Sequence, residues 1–102
     1  MLVRSLKGCY CFLVRFTWDA LKAEANERKH GVTFEEASTA FDDPHALIVE
    51  DALDPDRALL VGVTPRERLL VTVFIEVGDD LVRLISARRA TKKEYHRYEE
   101  GE

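Results

Sequence analysis

Residues that staple or metallate small proteins are scarce in this sequence. Of its 102 residues only two are cysteines, Cys9 and Cys11, one residue apart. That spacing is too close for an unstrained disulfide, and no third cysteine exists, so a disulfide framework is excluded. The three histidines, His30, His45 and His96, form no H-x-x-x-H pair, and there is no C-x-x-C. Neither a metal nor another cofactor is therefore expected. A glycine-rich phosphate loop and a G-x-S-x-G elbow are also missing, which disfavours the enzyme classes built on them. No apolar run approaches a membrane span. Arg4 and Lys7 precede the short apolar run from Cys9 to Val14, but Arg15 closes it and no small-residue cleavage site follows, so a signal peptide is not expected. Reduced thiols and the lack of an export signal give the expectation of a cytoplasmic protein with no membrane partner.

What remains is a chain with 46% hydrophobic and 33% charged residues, long enough for one domain spanning residues 1–102 around one core. Residues 1–11 read as an extension leading into a first strand near 12–17. The formal net charge is −4, unevenly spread. Residues 19–56 carry a net of −8, whereas Val82 to Arg97 holds Arg83, Arg88, Arg89, Lys92, Lys93 and Arg97 against the single acid Glu94. The overall acidity conceals a basic corner.

Three helices are marked by their caps. Asp19 is a suitable N-cap and Gly31 a left-handed C′ residue for the first. Thr33-Phe-Glu-Glu36 is a capping box for a second, ending before Asp42-Asp43-Pro44, and Thr91-Lys-Lys-Glu94 is another for a third, running to about Glu100. Between the second and third helices the period changes to two, which predicts strands at 46–50, 58–63, 69–77 and 81–88, with hairpin connections at Pro65–Arg68 and Gly78–Asp80. Both faces of 69–77 are apolar, as a central strand requires. Short connections imply antiparallel neighbours. The predicted architecture is α+β: a small antiparallel sheet, a meander, with two N-terminal helices and a closing C-terminal helix.

Several residues can carry chemistry. Strict alternation puts Arg83 on a face with Ile85 and Ala87, and Arg88 on the opposite one. An arginine in an apolar strand needs an anion, water or a cross-strand acid such as Glu76 or Asp79. Lys92 and Lys93 stand at a helix N-terminus, where positive charge is unfavourable unless an anion also binds there. Tyr95 and Tyr98, interleaved with Arg89, Lys92, Lys93 and Arg97, suit stacking on an unpaired base; equally, one tyrosine can anchor the helix on the sheet. Lys29 and His30 serve either as helix-end charges or as proton-transfer groups. Trp18 reads as core, and Asn26 as a group that fixes backbone.

Two stretches carry a resemblance. Phe16-x-Trp18-Asp19-x-x-Lys22-x-x-x-Asn26-x-x-Lys29-His30-Gly31-Val32-x-Phe34-x-x-Ala37, then Phe41-x-Asp43, is similar to the front half of the BrnT toxins. Arg83-x-Ile85-Ser86-Ala87-Arg88-Arg89-Ala90-Thr91-x-x-Glu94, followed by Tyr98, resembles their ending. The resemblance covers about residues 15–100. It implies a RelE-like fold and a metal-independent endoribonuclease toxin of a bacterial type II toxin–antitoxin pair. It also implies neutralisation by a BrnA-like ribbon-helix-helix antitoxin, with operator DNA reached only through that antitoxin. The chain departs from the family in having Asp56-Arg57 where members usually have Glu-Arg, and in its longer start.

The implied reaction is attack of a ribose 2′-OH on the neighbouring phosphorus with departure of the 5′-oxygen. Arg83 and Arg88, with Arg57 as a third, are the candidates for phosphate stabilisation, because a planar guanidinium can hold two phosphate oxygens. Lys29 and His30 are candidates for proton transfer, and Asp56 for orienting one of these groups or acting as base. Arg89, Lys92, Lys93, Tyr95, Arg97 and Tyr98 are the candidate RNA contacts. The rival reading is a non-catalytic phosphate, nucleic-acid or antitoxin-binding module, including a toxin that has lost activity.

Overall fold

The computed structural model describes residues 14–101, so Cys9, Cys11 and the expected extension at 1–11 lie outside the described residues. Strand β1 (Arg15–Thr17) is followed by helix α1 (Ala20–His30), helix α2 (Phe34–Thr39) and a 3-10 turn at Ala40–Asp42. Then come β2 (Leu47–Glu50), β3 (Ala58–Val63), β4 (Leu69–Glu76), β5 (Leu81–Arg89) and helix α3 (Lys92–Glu100).

The N- and C-caps stand where the sequence implies. The Asp19 carboxylate accepts from the N–H groups of Leu21 and Lys22, at 2.8 and 3.1 Å, and Gly31 closes α1 at φ 70°. Thr33 caps α2 through Glu36 N–H, but the capping box expected there is only half made, because the Glu36 carboxylate turns to Arg68 and Thr64; Thr91 with Glu94 forms a complete capping box on α3.

The five strands form one sheet in the order β1-β5-β4-β3-β2. The meander from β2 to β5 is antiparallel, but β1 runs parallel to β5, pairing Arg15, Phe16 and Thr17 with Leu81, Val82 and Arg83. The sheet is thus mixed rather than purely antiparallel. The argument from short loops fails only at β1, whose connection to β5 spans both first helices and the rest of the sheet.

One face of the sheet packs against α1, α2 and the 3-10 turn. Val32, Phe34, Ala37, Ala40 and Phe41 meet Ala58, Leu60, Leu70, Phe74, Val82, Leu84 and Ala87 there, all buried. Phe41 sits edge-on to both Phe16 and Phe74, with centroids 5.0 and 5.1 Å away, and Trp18 lies edge-on to Phe34 at 5.8 Å, packed at the margin of this core. Gly62 is needed where the 3-10 turn crosses β3, because a Cβ there would lie 2.8 Å from the Ala40 carbonyl oxygen. The other face carries a smaller cluster of Val61, Leu69 and Val71, against which Ala90 and Tyr98 pack. Helix α3 covers only that end of this second face.

Candidate functional site

Register decides where the arginines go. Along β4, Val71, Val73 and Ile75 alternate onto the second face, while Leu70, Thr72 and Phe74 point into the helix-covered core. Arg88 pairs with Val71, Ser86 with Val73 and Arg83 with Ile75. The pairing jumps from Ser86 to Leu84 between Val73 and Phe74, so Ile85 is an extra residue: a β-bulge. Val82, Leu84 and Ala87 are consequently all buried in the core, and Arg83 and Arg88 emerge on the same face. Strict alternation, which puts them on opposite faces and groups Arg83 with Ala87, is overturned by this single inserted residue.

Arg57 joins them. It immediately precedes the buried Ala58 of β3, and its carbonyl accepts from Asp51 N–H at 3.2 Å, extending the β2–β3 ladder by one residue. Continuing the β3–β4 register sets Arg57 beside Ile75, in the same cross-strand row as Arg83. Two strand spacings separate Arg57 from Arg83, about 10 Å, and four residues of rise separate the rows of Arg83 and Arg88, about 13 Å. By register the three form a triangle spanning Ile75, Val73 and Ser86.

Each arginine is held differently. Arg88 donates from Nη1 and Nη2 to the two oxygens of Glu94, at 2.9 and 2.8 Å, a bidentate fork. Glu94 also accepts from Thr91 N–H at 2.8 Å. These bonds, Arg88's first, hold the Glu94 carboxyl down at about 2, and the Arg88 guanidinium is correspondingly raised above its ordinary value. Arg57 Nε lies 3.4 Å from Asp54 Oδ2, an ion-pair distance, yet that buried nitrogen makes no hydrogen bond among the described residues. Arg83 is half-buried on this face, in the cross-strand row of Ile75. Asp56 is exposed in the β2–β3 loop, one residue before Arg57. A depression lined by Leu47, Val49, Leu59, Val61, Val71, Arg88, Glu94 and Arg97 opens on this face.

Lys29 and His30 are not in that depression. They line a separate groove at the sheet's edge with Lys22, Ala25, Asn26, Ile85 and Ser86. The two regions meet at Ser86, which belongs to the arginine face by register and to the groove by position. Lys29 and His30 therefore stand across the β5 edge from the arginines, because α1 packs on the opposite side of the sheet. Asn26 fixes that packing. Its amide donates to the carbonyls of Val32 and Ala87, at 3.0 and 2.9 Å, and accepts from Ala87 N–H at 3.1 Å.

On α3, Lys92, Lys93, Tyr95 and Arg97 are exposed, as is Arg89 at the end of β5. Tyr98 is not: its ring packs on the second cluster and its hydroxyl donates to Asp43 Oδ2 at 2.6 Å. Burial and the Asp43 carboxylate push this phenol up to about 12. Of the two tyrosines expected at the RNA surface, Tyr98 is thus the anchor of α3, and stacking a base on it would require undocking the helix. Asp43 is committed as well, accepting from the N–H groups of His45 and Val63, both at 2.9 Å.

Some determinants had little sequence signal. Glu94 announced itself only as a capping residue, and its grip on Arg88 could not be read from spacing. Glu36, buried under α2, accepts from Arg68 Nε at 2.8 Å and from Thr64 Oγ1 at 3.0 Å, with Arg68 Nη2 on its second oxygen; the Arg68 hydrogen bond, ahead of Thr64's, holds its carboxyl below the usual range. Arg68 also donates to the Gly31 carbonyl at 3.1 Å, so one ion pair ties α2, the β3–β4 hairpin and the end of α1 together. Among the described residues no group of three or more His, Cys, Asp or Glu is arranged to hold a metal, and no helix is long and apolar enough to cross a membrane.

A family model described as the ribonuclease toxin BrnT of a type II toxin–antitoxin system matches residues 18–94. The crystal structure of the Brucella abortus ribonuclease toxin BrnT superposes with a TM-score of 0.65 at 23% identity, covering 78% of this chain and 99% of that one; this likeness is one of fold. No curated protein matches.

Proposed function

The chain belongs to the BrnT family of ribonuclease toxins of type II toxin–antitoxin systems, and on that premise we propose that it cleaves RNA on the sheet face bearing Arg57, Arg83 and Arg88. The observation that carries this reading is the bulge at Ile85, which turns Arg83 and Arg88 onto one face. Bulges are a common means of re-aiming a side chain beside an active site.

The proposed reaction is internal transesterification. The ribose 2′-oxygen loses its proton and bonds to the adjacent phosphorus, the bond to the 5′-oxygen breaks, that oxygen takes a proton from water, and a 2′,3′-cyclic phosphate and a 5′-hydroxyl result. Negative charge accumulates on the non-bridging oxygens as phosphorus becomes five-coordinate. Fixed guanidinium groups aimed at those oxygens stabilise that state more than the ground state. Arg88 is held rigid by Glu94, and Arg83 stands half-buried on the same face. Asp56, exposed beside Arg57, is the carboxylate nearest in sequence that can accept the 2′ proton. Glu94 is unsuited to that task, because a carboxyl near 2 is a weak base at neutral pH. The residues supply the charge and proton transfer without a metal.

The protein-class partner is an antitoxin, as membership of the family implies. We take it to be a BrnA-like ribbon-helix-helix protein, through which operator DNA is reached.

The decisive experiment incubates purified, antitoxin-free protein with a defined RNA in excess EDTA, beside Arg83→Ala and Arg88→Ala. New ends bearing 2′,3′-cyclic phosphate from wild type, lost in the folded variants, are expected. A wild type that binds RNA without making ends would favour the binding-module reading. Full activity in folded Arg88→Ala would remove that residue from the reaction.

A further inference from the structure

The groove at the sheet's edge is built from a single stripe of α1 and the bulge of β5. Lys22, Ala25, Asn26 and Lys29 recur at helical spacing on one side of α1, with His30 beside them, and Ile85 and Ser86 form the opposite wall. Its lining holds two lysines and a histidine and no acid. The helix's own pair, Arg28 with Glu24 at 3.9 Å, lies outside the groove, and neither Lys22 nor Lys29 makes an ion pair among the described residues.

Strand pairing leaves this side of β5 open. Strand β1 pairs with Leu81 to Arg83, so among the described residues β5 has no strand neighbour there from Leu84 onward. An open edge ordinarily invites another strand. Here Asn26 occupies both the N–H and the carbonyl of Ala87 with its side-chain amide, which blocks the ladder at its midpoint. A peptide strand is thereby refused, and what the groove offers is positive charge over a shallow apolar wall.

The groove is also continuous with the arginine face. Ser86 lies in the cross-strand row between those of Arg83 and Arg88 and lines the groove as well. A polyanion with one phosphate among the arginines meets Lys22 and Lys29 on crossing the β5 edge.

We propose that the α1–β5 groove binds the single-stranded RNA segment flanking the scissile phosphate, with Lys22 and Lys29 each neutralising a backbone phosphate. This rests on the reading of the arginine face as the RNA-cleaving site. It assigns Lys29 to strand binding across the edge rather than to proton transfer at the reacting phosphate. Being charge contacts to backbone, these lysines add affinity without sequence preference.

The test is a salt titration of binding. A fluorescent single-stranded oligonucleotide of about a dozen nucleotides, in the range single-strand sites span, carries 2′-O-methyl groups so that it cannot be cleaved. Its Kd is measured by anisotropy across salt concentrations for wild type, for Lys22→Gln with Lys29→Gln, and for Arg15→Gln with Arg28→Gln. The last pair removes the same charge away from the groove, and all three are checked for folding by circular dichroism. The groove variant is expected to lower the slope of log Kd against log salt by about 1.4, from 0.7 per lost phosphate contact, with the control near wild type. Unchanged slopes in the groove variant, or equal losses in the control, would overturn the proposal while leaving the cleavage site standing. A wild type that does not bind the oligonucleotide would sink both. Unchanged RNA binding with a weakened, less salt-dependent toxin–antitoxin complex would give the groove to the antitoxin instead.

Discussion

Arg88 and Glu94 face each other across the joint between β5 and α3 through two parallel hydrogen bonds of 2.9 and 2.8 Å. The same carboxylate caps α3 through Thr91 N–H, so the orientation of a candidate catalytic guanidinium and the start of the closing helix depend on one side chain. Glu94→Ala should release both. We expect cleavage to fall while Arg88 remains present, and the loss to be partly recovered in Glu94→Gln, whose amide oxygen can still accept one bond. Equal kcat/KM values in the two variants would argue against positioning.

Arg88 itself should tolerate no conservative exchange. A lysine offers a point charge in place of a planar fork and cannot satisfy both Glu94 oxygens. Arg88→Lys and Arg88→Ala should each lose about 2.7–4 kcal/mol of transition-state stabilisation, read as a fall of roughly two to three orders of magnitude in kcat. Quantitative cleavage with the defined RNA measures this.

Acid should weaken the α3 joint. The Glu94 carboxyl sits at about 2 in the fold against an ordinary 4.5, so its contribution is complete above 4.5 and is lost as pH falls toward 2. For a partly solvated pair this amounts to about 1–2 kcal/mol after screening. Urea midpoints of wild type should therefore fall more steeply across that window than those of Glu94→Gln.

Alkali should act at the other end of the helix. Tyr98 is raised to about 12 from 10, so the neutral phenol's contribution is present below 10 and lost as pH climbs through 12. Ultraviolet titration of tyrosinate should show one late-ionising tyrosine, absent in Tyr98→Phe. That variant should also be destabilised, because Asp43 Oδ2 loses its phenol donor and keeps only the Val63 N–H.

Two core positions have opposite expectations. Thr72 is fully buried in β4 and its hydroxyl has no partner among the described residues, so Thr72→Val should stabilise the fold by about 1 kcal/mol. Gly62→Ala should destabilise by about 1–3 kcal/mol, since the new methyl meets the Ala40 carbonyl. Thermal melts of the two variants should move in opposite directions from wild type.

Local chemistry was legible in the sequence. Asp19, Gly31, Thr33 and the Thr91–Glu94 box fixed the helix ends, because capping depends on atoms within a few residues of one another. The period-two runs marked β2 to β5, since burial on a pleated strand repeats every second residue. The composition of the basic corner and the paired motifs pointed to the family that the comparison supports.

Which side each group faces was settled only in three dimensions. Alternation from sequence assumes an uninterrupted strand, and Ile85 breaks that assumption, bringing Arg83 and Arg88 to one face. The parallel docking of β1 and the separation of Lys29 and His30 from the arginines follow from α1 packing over the opposite side of the sheet, a contact secured by Asn26 with Ala87, 61 residues away. Glu94 closing on Arg88, Tyr98 on Asp43 and Arg68 on Glu36 likewise join side chains whose meeting depends on the whole fold. Caps and periods are local energies, and the sequence determined them by itself. Register, facing and ion-pair choice are set by which surfaces the complete chain buries together, and only the tertiary structure decided those.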